Sequence, residues 1–313
     1  MSTAFDAVLG LLLVLAAIRV VATADIRGAV SSFIAYGMIL ALVWVRLEGV
    51  DIALTEIAVG SGLTTIVILR AISHVPSSRS SSSNSSSAMG AKVAVGIVCA
   101  AVTLGLSVVL LGLPEPAPSL APYVALNMPA TALGNPITGV LMVFRAMDTV
   151  LETVVVLLAL IGVWALVPQR RLAELPATLG AGRAPESVVF LARALVPFGL
   201  VVGAYQLWAG ADVPGGKFQG AAVLASMGLL LMMAGVIHAT AATNIKLRAL
   251  LLVGPVLFLA VGVAGWPLAG AFLGYPAGLE KPVIIAVEIA STISITAALV
   301  MLVLGPPAGS ASS

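Results

Sequence analysis

Long apolar segments recur along the chain and alternate with short polar connections. A helix needs about 20 apolar residues to cross the hydrocarbon core of a bilayer. The pattern therefore predicts an all-α polytopic membrane protein with about nine transmembrane helices. The predicted spans are residues 4–22, 27–45, 50–72, 92–113, 136–166, 188–208, 220–239, 247–266 and 282–304. The fifth is the longest, which predicts that it is tilted, kinked or preceded by a re-entrant piece.

Two polar stretches interrupt this pattern. Residues 77–87 read SSRSSSSNSSS, and such a tract has no apolar surface to bury and is typical of a flexible linker. Residues 168–187 mix proline, glycine and charges and indicate a second connector. The predicted organisation is a three-helix module (1–75), a linker (76–91), a two-helix module (92–167), a connector (168–187), a four-helix module (188–305) and a tail (306–313). Small proteins fused end to end would give this pattern, and so would a single-domain transporter with long loops.

The composition excludes the soluble classes of protein. Hydrophobic residues make up 60% of the 313 residues and charged residues 9%, whereas a soluble domain is about 25% charged. So few ionic groups cannot cover a soluble fold, which excludes a soluble enzyme, a disordered protein and a nucleic-acid-binding protein. The single cysteine, Cys99, cannot form an internal disulfide. Since the sequence contains no metal-ligand spacing, phosphate loop or nucleophile motif, we expect neither catalysis by this chain nor a cofactor.

The distribution of Lys and Arg predicts the orientation in the membrane. Cytoplasmic loops of membrane proteins carry an excess of these residues. Eleven of the fifteen fall in one set of predicted loops, and three (Arg46, Lys217 and Lys281) fall in the other set. This asymmetry predicts an N-terminus outside and a C-terminus in the cytoplasm. The remaining basic residue, Arg145, falls inside the fifth span.

Ionisable residues at membrane depth are candidates for function because they are expensive to place there. In the third span, Asp51 lies near the outer end and Glu56 lies deeper, followed by Gly60 and Gly62. Small residues allow helices to pack closely, which would bury Glu56 in a bundle. Glu56 then either belongs to an ion path or makes a structural hydrogen bond between helices. Asp51 is a further candidate, or only a carboxylate at a helix start.

The fifth span contains three charged residues in the run FRAMDTVLE. Arg145, Asp148 and Glu152 are spaced three and seven residues apart, so they fall within roughly 60° of one helix face. Arg145 can pair with Asp148 one turn away, which leaves Glu152 as the excess carboxylate. A carboxylate of this kind is what a reversible proton carrier needs. The alternative is an interhelical salt-bridge network that only fixes packing.

The last four predicted spans contain three further candidates. Glu288 shares a helix face with Ser291 and Thr292, which indicates either a path for a proton or Na+ or a seam of hydrogen bonds between helices. His238 ends the seventh span, where it is a proton entrance or an interfacial polar residue. Lys217 lies in the loop GADVPGGKFQG, where it could line the mouth of a cavity or belong to a tight turn.

These motifs together resemble one family. Residues 17–75, above all GVDIALTEIAVGSGLTTIVI, resemble the three-helix module near the C-terminus of the large subunit of Mrp-type multisubunit Na+/H+ antiporters, which is a separate small subunit in membrane-bound hydrogenases. Residues 135–166, with FRAMDTVLE, are similar to the next module of those complexes. Residues 188–304 resemble the MnhB-type small subunit of the antiporter, whose signature PGGGFQGG is matched by PGGKFQGA at residues 214–221. Here Lys217 replaces a signature glycine, and Val143 stands where an acidic residue often precedes the Phe-Arg pair.

The resemblance implies a membrane subunit of a cation/proton antiporter complex, or of a related energy-converting complex, in the plasma membrane. It implies antiporter-like large subunits and other small membrane subunits as partners, with Na+ or H+ as the transported ion. The expected path uses Glu56, Asp148, Glu152 and Glu288, with Arg145 acting on them electrostatically. Asp51, Lys217 and His238 are secondary candidates.

Two other functions are compatible with the sequence. The chain could be a scaffold that binds antiporter-like and peripheral subunits without conducting ions. It could also be a transporter that works alone, but the sequence shows neither the internal repeats nor the broken-helix pattern of many such transporters.

Overall fold

The computed structural model describes residues 3–74, 86–114, 118–168, 172–176 and 184–305, and the described residues contain helices and no strands. The helices are α1 (Thr3–Ala22), α2 (Ile26–Arg46), α3 (Val50–Thr55), α4 (Thr64–His74), α5 (Ser86–Leu111), α6 (Ala121–Asn127), α7 (Pro136–Gly139), α8 (Ala146–Ala165), α9 (Glu186–Ala209), α10 (Lys217–Met233), α11 (Ile245–Ala269) and α12 (Glu280–Leu304). Two π-helical turns, Glu56–Leu63 and Val140–Phe144, and a 3-10 turn, Met128–Thr131, join some of them.

The predicted membrane class is confirmed. Eight helical segments in the described chain are long and apolar enough to cross a bilayer, and one of them runs from α3 through the first π-helical turn into α4. Helix α10 is apolar but has 17 residues, and it accounts for the seventh predicted span. The protein is therefore an all-α, multi-pass membrane protein.

Two spans differ in detail from their predicted bounds. The fifth begins as α7, continues as the π-helical turn Val140–Phe144 and breaks at Arg145 (φ −132°, ψ 38°) before α8, which confirms the expected interruption. The seventh ends at Met233 and not at residue 239, because Gly235 takes the left-handed conformation (φ +72°) and ends the helix.

The predicted linker 76–91 falls largely outside the described residues, and so does the tail after residue 305. The described part resumes at Ser86, where α5 begins before the predicted end of the linker. The chain divides into two compact units, one containing residues 73–126 with α5 and most of α6, and one containing the rest. The module boundaries drawn from the sequence stay a prediction.

Helix α12 lies at the centre of the larger unit, where it packs against α8, α10 and α11. Small residues allow this packing: Ala221 and Ala225 of α10 are fully buried, and a Cβ on Gly254 of α11 would lie 2.8 Å from the Cα of Ser291. Helices α9 and α10 pack together, as do α1 and α2. The polar face of α12, including Glu288, is thereby enclosed by other helices and not by lipid.

Candidate functional site

Glycines shape the loop that places Lys217. A Cβ on Gly210 would lie 2.7 Å from the backbone nitrogen of Gly216, and a Cβ on Gly215 would lie 2.5 Å from the carbonyl oxygen of Gln206. Gly216 also has φ +143°, a conformation that L side chains rarely adopt. The loop therefore folds tightly against the end of α9, and Lys217 becomes the first residue of α10.

Asp51 and Asn135 fix this loop from two other segments. The backbone N–H of Gly215 donates to Asp51 Oδ1 at 2.9 Å, and Asn135 Nδ2 donates to the same oxygen at 3.4 Å. The Asn135 amide also donates to the carbonyl oxygens of Gly210 (3.2 Å) and Val213 (3.1 Å). The Asp51 carboxylate is therefore more than a helix-start charge, because it joins α3, the segment before α7 and the α9–α10 loop.

Gln219 adds a second bond between α10 and α3. Its Nε2 donates to Thr55 Oγ1 at 2.9 Å and to the Asp51 carbonyl oxygen at 3.3 Å. These contacts orient the first turn of α10, so the side chain two residues before Gln219 has a fixed origin.

Lys217 is the central charge of the site. Its side chain is buried, and Nζ lies 3.6 Å from Glu152 Oε2, an ion pair too long for a direct hydrogen bond. Nζ has no hydrogen-bond partner among the described residues, and its other close neighbour is the Phe218 ring, 5.1 Å away at the centroid. Glu288 is within electrostatic reach of the same ammonium.

A cavity of about 280 Å³ brings these groups together. It is lined by polar side chains from α3, α8, α10 and α12, including Asp51, Glu152, Lys217 and Glu288, together with apolar residues such as Met142. Glu288 is 4% exposed and its Oε2 accepts no hydrogen bond from the described residues, whereas the Glu152 side chain is 38% exposed. The cavity thus holds one ammonium between a deeply buried carboxylate and a more accessible one.

The polar face predicted for α12 is present and buried. Ser291 and Thr292 are fully buried beside Glu288, and Thr292 Oγ1 lies 3.5 Å from the Lys217 carbonyl oxygen. Tyr275, in the loop before α12, donates to the Met142 carbonyl oxygen at 2.8 Å. Burial raises the pKa of the Tyr275 phenol above its usual range, and the charge of Glu288 adds to this shift. The phenol therefore stays a hydrogen-bond donor.

The predicted pair of Arg145 and Asp148 forms, but it faces outward. Arg145 Nη2 lies 2.6 Å from Asp148 Oδ2, and the two side chains are 70% and 45% exposed. The expectation that Glu152 is left without a cationic partner is wrong, because Lys217 provides one. The expectation that all three charges share one face is also wrong in effect, since Arg145 lies at the break before α8 and outside the helix.

Glu56 lies in a separate polar site at the start of the first π-helical turn. Ser61 Oγ donates to Glu56 Oε1 at 3.3 Å, and the side chain of Glu56 is half-buried. A Cβ on Gly37 of α2 would lie 3.0 Å from Oε1, and one on Gly60 would lie 2.6 Å from it. The expected role of small residues next to Glu56 is therefore confirmed, although Glu56 is not among the described residues that line the cavity.

The remaining candidates separate clearly. His238 is exposed and lies beyond the end of α10. Lys217 is not the loop cation that the orientation pattern assumed, because its side chain is buried. Sequence reasoning missed Asn135, for which the Asn-Pro pair at the start of α7 was the available signal. Within the described residues, no group of three or more His, Cys, Asp and Glu is arranged to hold a metal ion.

Two protein-family models match the chain. Residues 11–77 match the MbhD family, a component of MBH, and residues 187–306 match a domain related to the MnhB subunit of Na+/H+ antiporter. No curated protein sequence matches the chain.

Two solved structures are similar to this one. A chain of the Mrp complex from Dietzia sp. DQ12-45-1b has a TM-score of 0.75 and 26% sequence identity, with 98% of this chain and 35% of that chain covered. A chain of the membrane-bound sulfane sulfur reductase, an archaeal respiratory membrane complex, has a TM-score of 0.52 and 20% identity, with 69% of this chain and 99% of that chain covered. The second likeness concerns the fold alone. The chain spans about a third of the length of the Mrp-complex chain.

Proposed function

Since the chain is a membrane subunit of the Mrp/Mnh antiporter type that fuses an MbhD domain and an MnhB-related domain, we propose that its charged cavity forms part of a transmembrane ion path. The path serves a multisubunit monovalent cation/proton antiporter or a related energy-converting complex. The observation that carries this proposal is the convergence of Glu152, Lys217 and Glu288 on one cavity.

The chemistry of the path is the uptake and release of protons by carboxylates. Glu288 is buried and Glu152 is partly exposed, so a proton or cation that enters at Glu152 is carried inward towards Glu288. Lys217 balances one negative charge of this pair of carboxylates. Asp51 acts through the loop that it holds, and is a positioning residue in this proposal.

The other predicted residues have supporting roles in the same proposal. Glu56, with Ser61 as its hydrogen-bond donor, is a second carboxylate of the path within the MbhD domain. Arg145 and Asp148 form a neutral pair on the outer side of α8, where they act electrostatically on the entrance. The chain packs beside antiporter-like large subunits and other small membrane subunits, in the plasma membrane, with its N-terminus outside and its C-terminus in the cytoplasm.

The test is coupled transport by the assembled complex in proteoliposomes, followed with a pH-sensitive dye. We expect Glu152→Gln and Glu288→Gln to abolish coupled transport while the complex is recovered intact. Glu186→Gln is the matched control, because Glu186 is exposed at the start of α9, and it should leave transport unchanged. Wild-type transport in both cavity variants would contradict the proposal.

One observation favours a second function, that of a scaffold which conducts no ion. The Arg145–Asp148 pair is exposed on a membrane-spanning segment, and such a pair is stable there only if water or another polypeptide covers it. If the chain is only a scaffold, neutralising the cavity carboxylates reduces recovery of the complex and leaves the transport per assembled complex unchanged.

A further inference from the structure

We propose that the Lys217 ammonium occupies the place of an alkali cation in the cavity, so that the cavity passes protons and excludes Na+. This inference rests on the proposed function in that it names the ion carried by the same site. It makes Lys217 a residue that determines ion specificity.

The cavity has the size and the oxygen atoms for a small cation. Its volume of about 280 Å³ equals that of several water molecules, since one water takes about 30 Å³ in the liquid. Glu152, Glu288 and Thr149 line it, and oxygen atoms of this kind are the ligands that hard cations prefer. Neither volume nor ligand chemistry therefore keeps Na+ out.

The ammonium is placed where a bound cation would have to be. Nζ lies 3.6 Å from Glu152 Oε2 and interacts electrostatically with Glu288, while no described residue accepts a hydrogen bond from it. A buried lysine without a hydrogen bond is unfavourable as a structural element. Its position between two carboxylates supplies the reason for its presence, because it neutralises one of their charges.

The same charge repels a second cation. At an effective dielectric constant of about 20, repulsion between two unit charges about 4 Å apart weakens binding about a thousandfold. A proton escapes this effect because it binds covalently to a carboxylate and needs no shell of ligands. The residue that Lys217 replaces in the signature is glycine, which carries no charge, so Lys217→Gly removes the repulsion with little change to the loop.

The experiment measures modification of Glu288 and Glu152 by dicyclohexylcarbodiimide, a reagent for protonated carboxyl groups in membranes, in the purified full chain. The labelling rate is compared in NaCl and in N-methyl-D-glucamine chloride at equal ionic strength, and the labelled residue is located by peptide mass spectrometry. We expect the wild-type rate to be the same in both salts. In Lys217→Gly, Na+ should slow labelling about tenfold once its concentration exceeds its Kd by that factor.

Two further variants complete the test. Lys217→Met is also uncharged but fills the space, so it reports on charge if the glycine variant folds poorly, and it should gain the same sensitivity to Na+. Lys281→Met is the matched control, since Lys281 pairs with Asp212 at the surface (2.7 Å), and its labelling should not respond to Na+.

Slower labelling of the wild-type chain in NaCl would overturn the inference, and so would insensitivity to Na+ in both uncharged variants. The proposed function is tested separately by transport in the assembled complex. A cavity that admits Na+ with Lys217 present would refute this inference and leave the ion path standing.

Discussion

Two ion pairs on the same transmembrane segment differ in almost every respect. Arg145 and Asp148 are neighbours in sequence, lie 2.6 Å apart and are exposed. Lys217 and Glu152 come from different helices, lie 3.6 Å apart and enclose a lysine that is 6% exposed at its side chain. The shorter pair is the one that the chain alone does not need, because an exposed ion pair stabilises a fold little.

The difference is one of burial. Breaking a buried pair leaves a charge that water cannot solvate, whereas breaking an exposed pair leaves two charges that the surroundings can accommodate. The inner pair is therefore expected to determine the stability of the cavity, and the outer pair is expected to matter where this chain meets another one. Each of the following predictions tests that division.

The largest effect is expected from charge reversal at the two cations. Lys217→Glu places a third carboxylate beside Glu152 and Glu288, and should lower the free energy of unfolding by about 3–5 kcal/mol. Arg145→Glu, the matched reversal at the outer pair, should lower it by about 1 kcal/mol or less. The measurement is denaturant-induced unfolding of the purified chain in detergent micelles. Equal losses in the two variants would show that the division between inner and outer pairs is wrong.

The next effect concerns the loop that positions Lys217. Asp51→Ala removes the acceptor of the buried Gly215 N–H and should lower the free energy of unfolding by about 1–3 kcal/mol. Asp51→Asn retains one acceptor oxygen and should lose less. The control is Asp25→Ala, which removes a similar bond (Gly28 N–H to Asp25, 2.8 Å) from the exposed start of α2.

The two aspartate variants should differ in a second measurement. Displacement of the loop moves Lys217, so Asp51→Ala should change the labelling of Glu288 by carbodiimide, and Asp25→Ala should not. If both variants lose the same stability and neither alters labelling, Asp51 is only a local cap and does not position the cavity.

The local parts of this structure could be predicted from the sequence. Apolar length indicated the spans, and a spacing of three residues indicated the Arg145–Asp148 pair. The shared face of Glu288, Ser291 and Thr292 followed from helical periodicity, and all three are buried. Each of these features depends on residues within one or two turns of one another.

The parts that could not be predicted join distant segments. Lys217 follows two glycines and reads as a loop cation, and only the packing of α10 against α8 and α12 brings it to Glu152 and Glu288. The junction of Asp51, Asn135 and Gly215 likewise joins three segments far apart in the chain. Periodicity within a helix carries no information about which helix lies opposite, so the cation at the centre of the site was the least predictable of its residues.

The smallest effect on the isolated chain is expected from neutralising the outer pair. Arg145→Gln with Asp148→Asn should change the free energy of unfolding by about 0.5 kcal/mol or less, because both side chains are exposed. If another subunit covers this pair in the membrane, the same double variant should reduce the amount of complex recovered by affinity purification through a second subunit. Recovery is compared with that of Lys281→Met, which removes an ion pair of similar exposure near the start of α12. Unchanged recovery together with lost transport would instead assign Arg145 and Asp148 to the ion path, because assembly would then not depend on their charges.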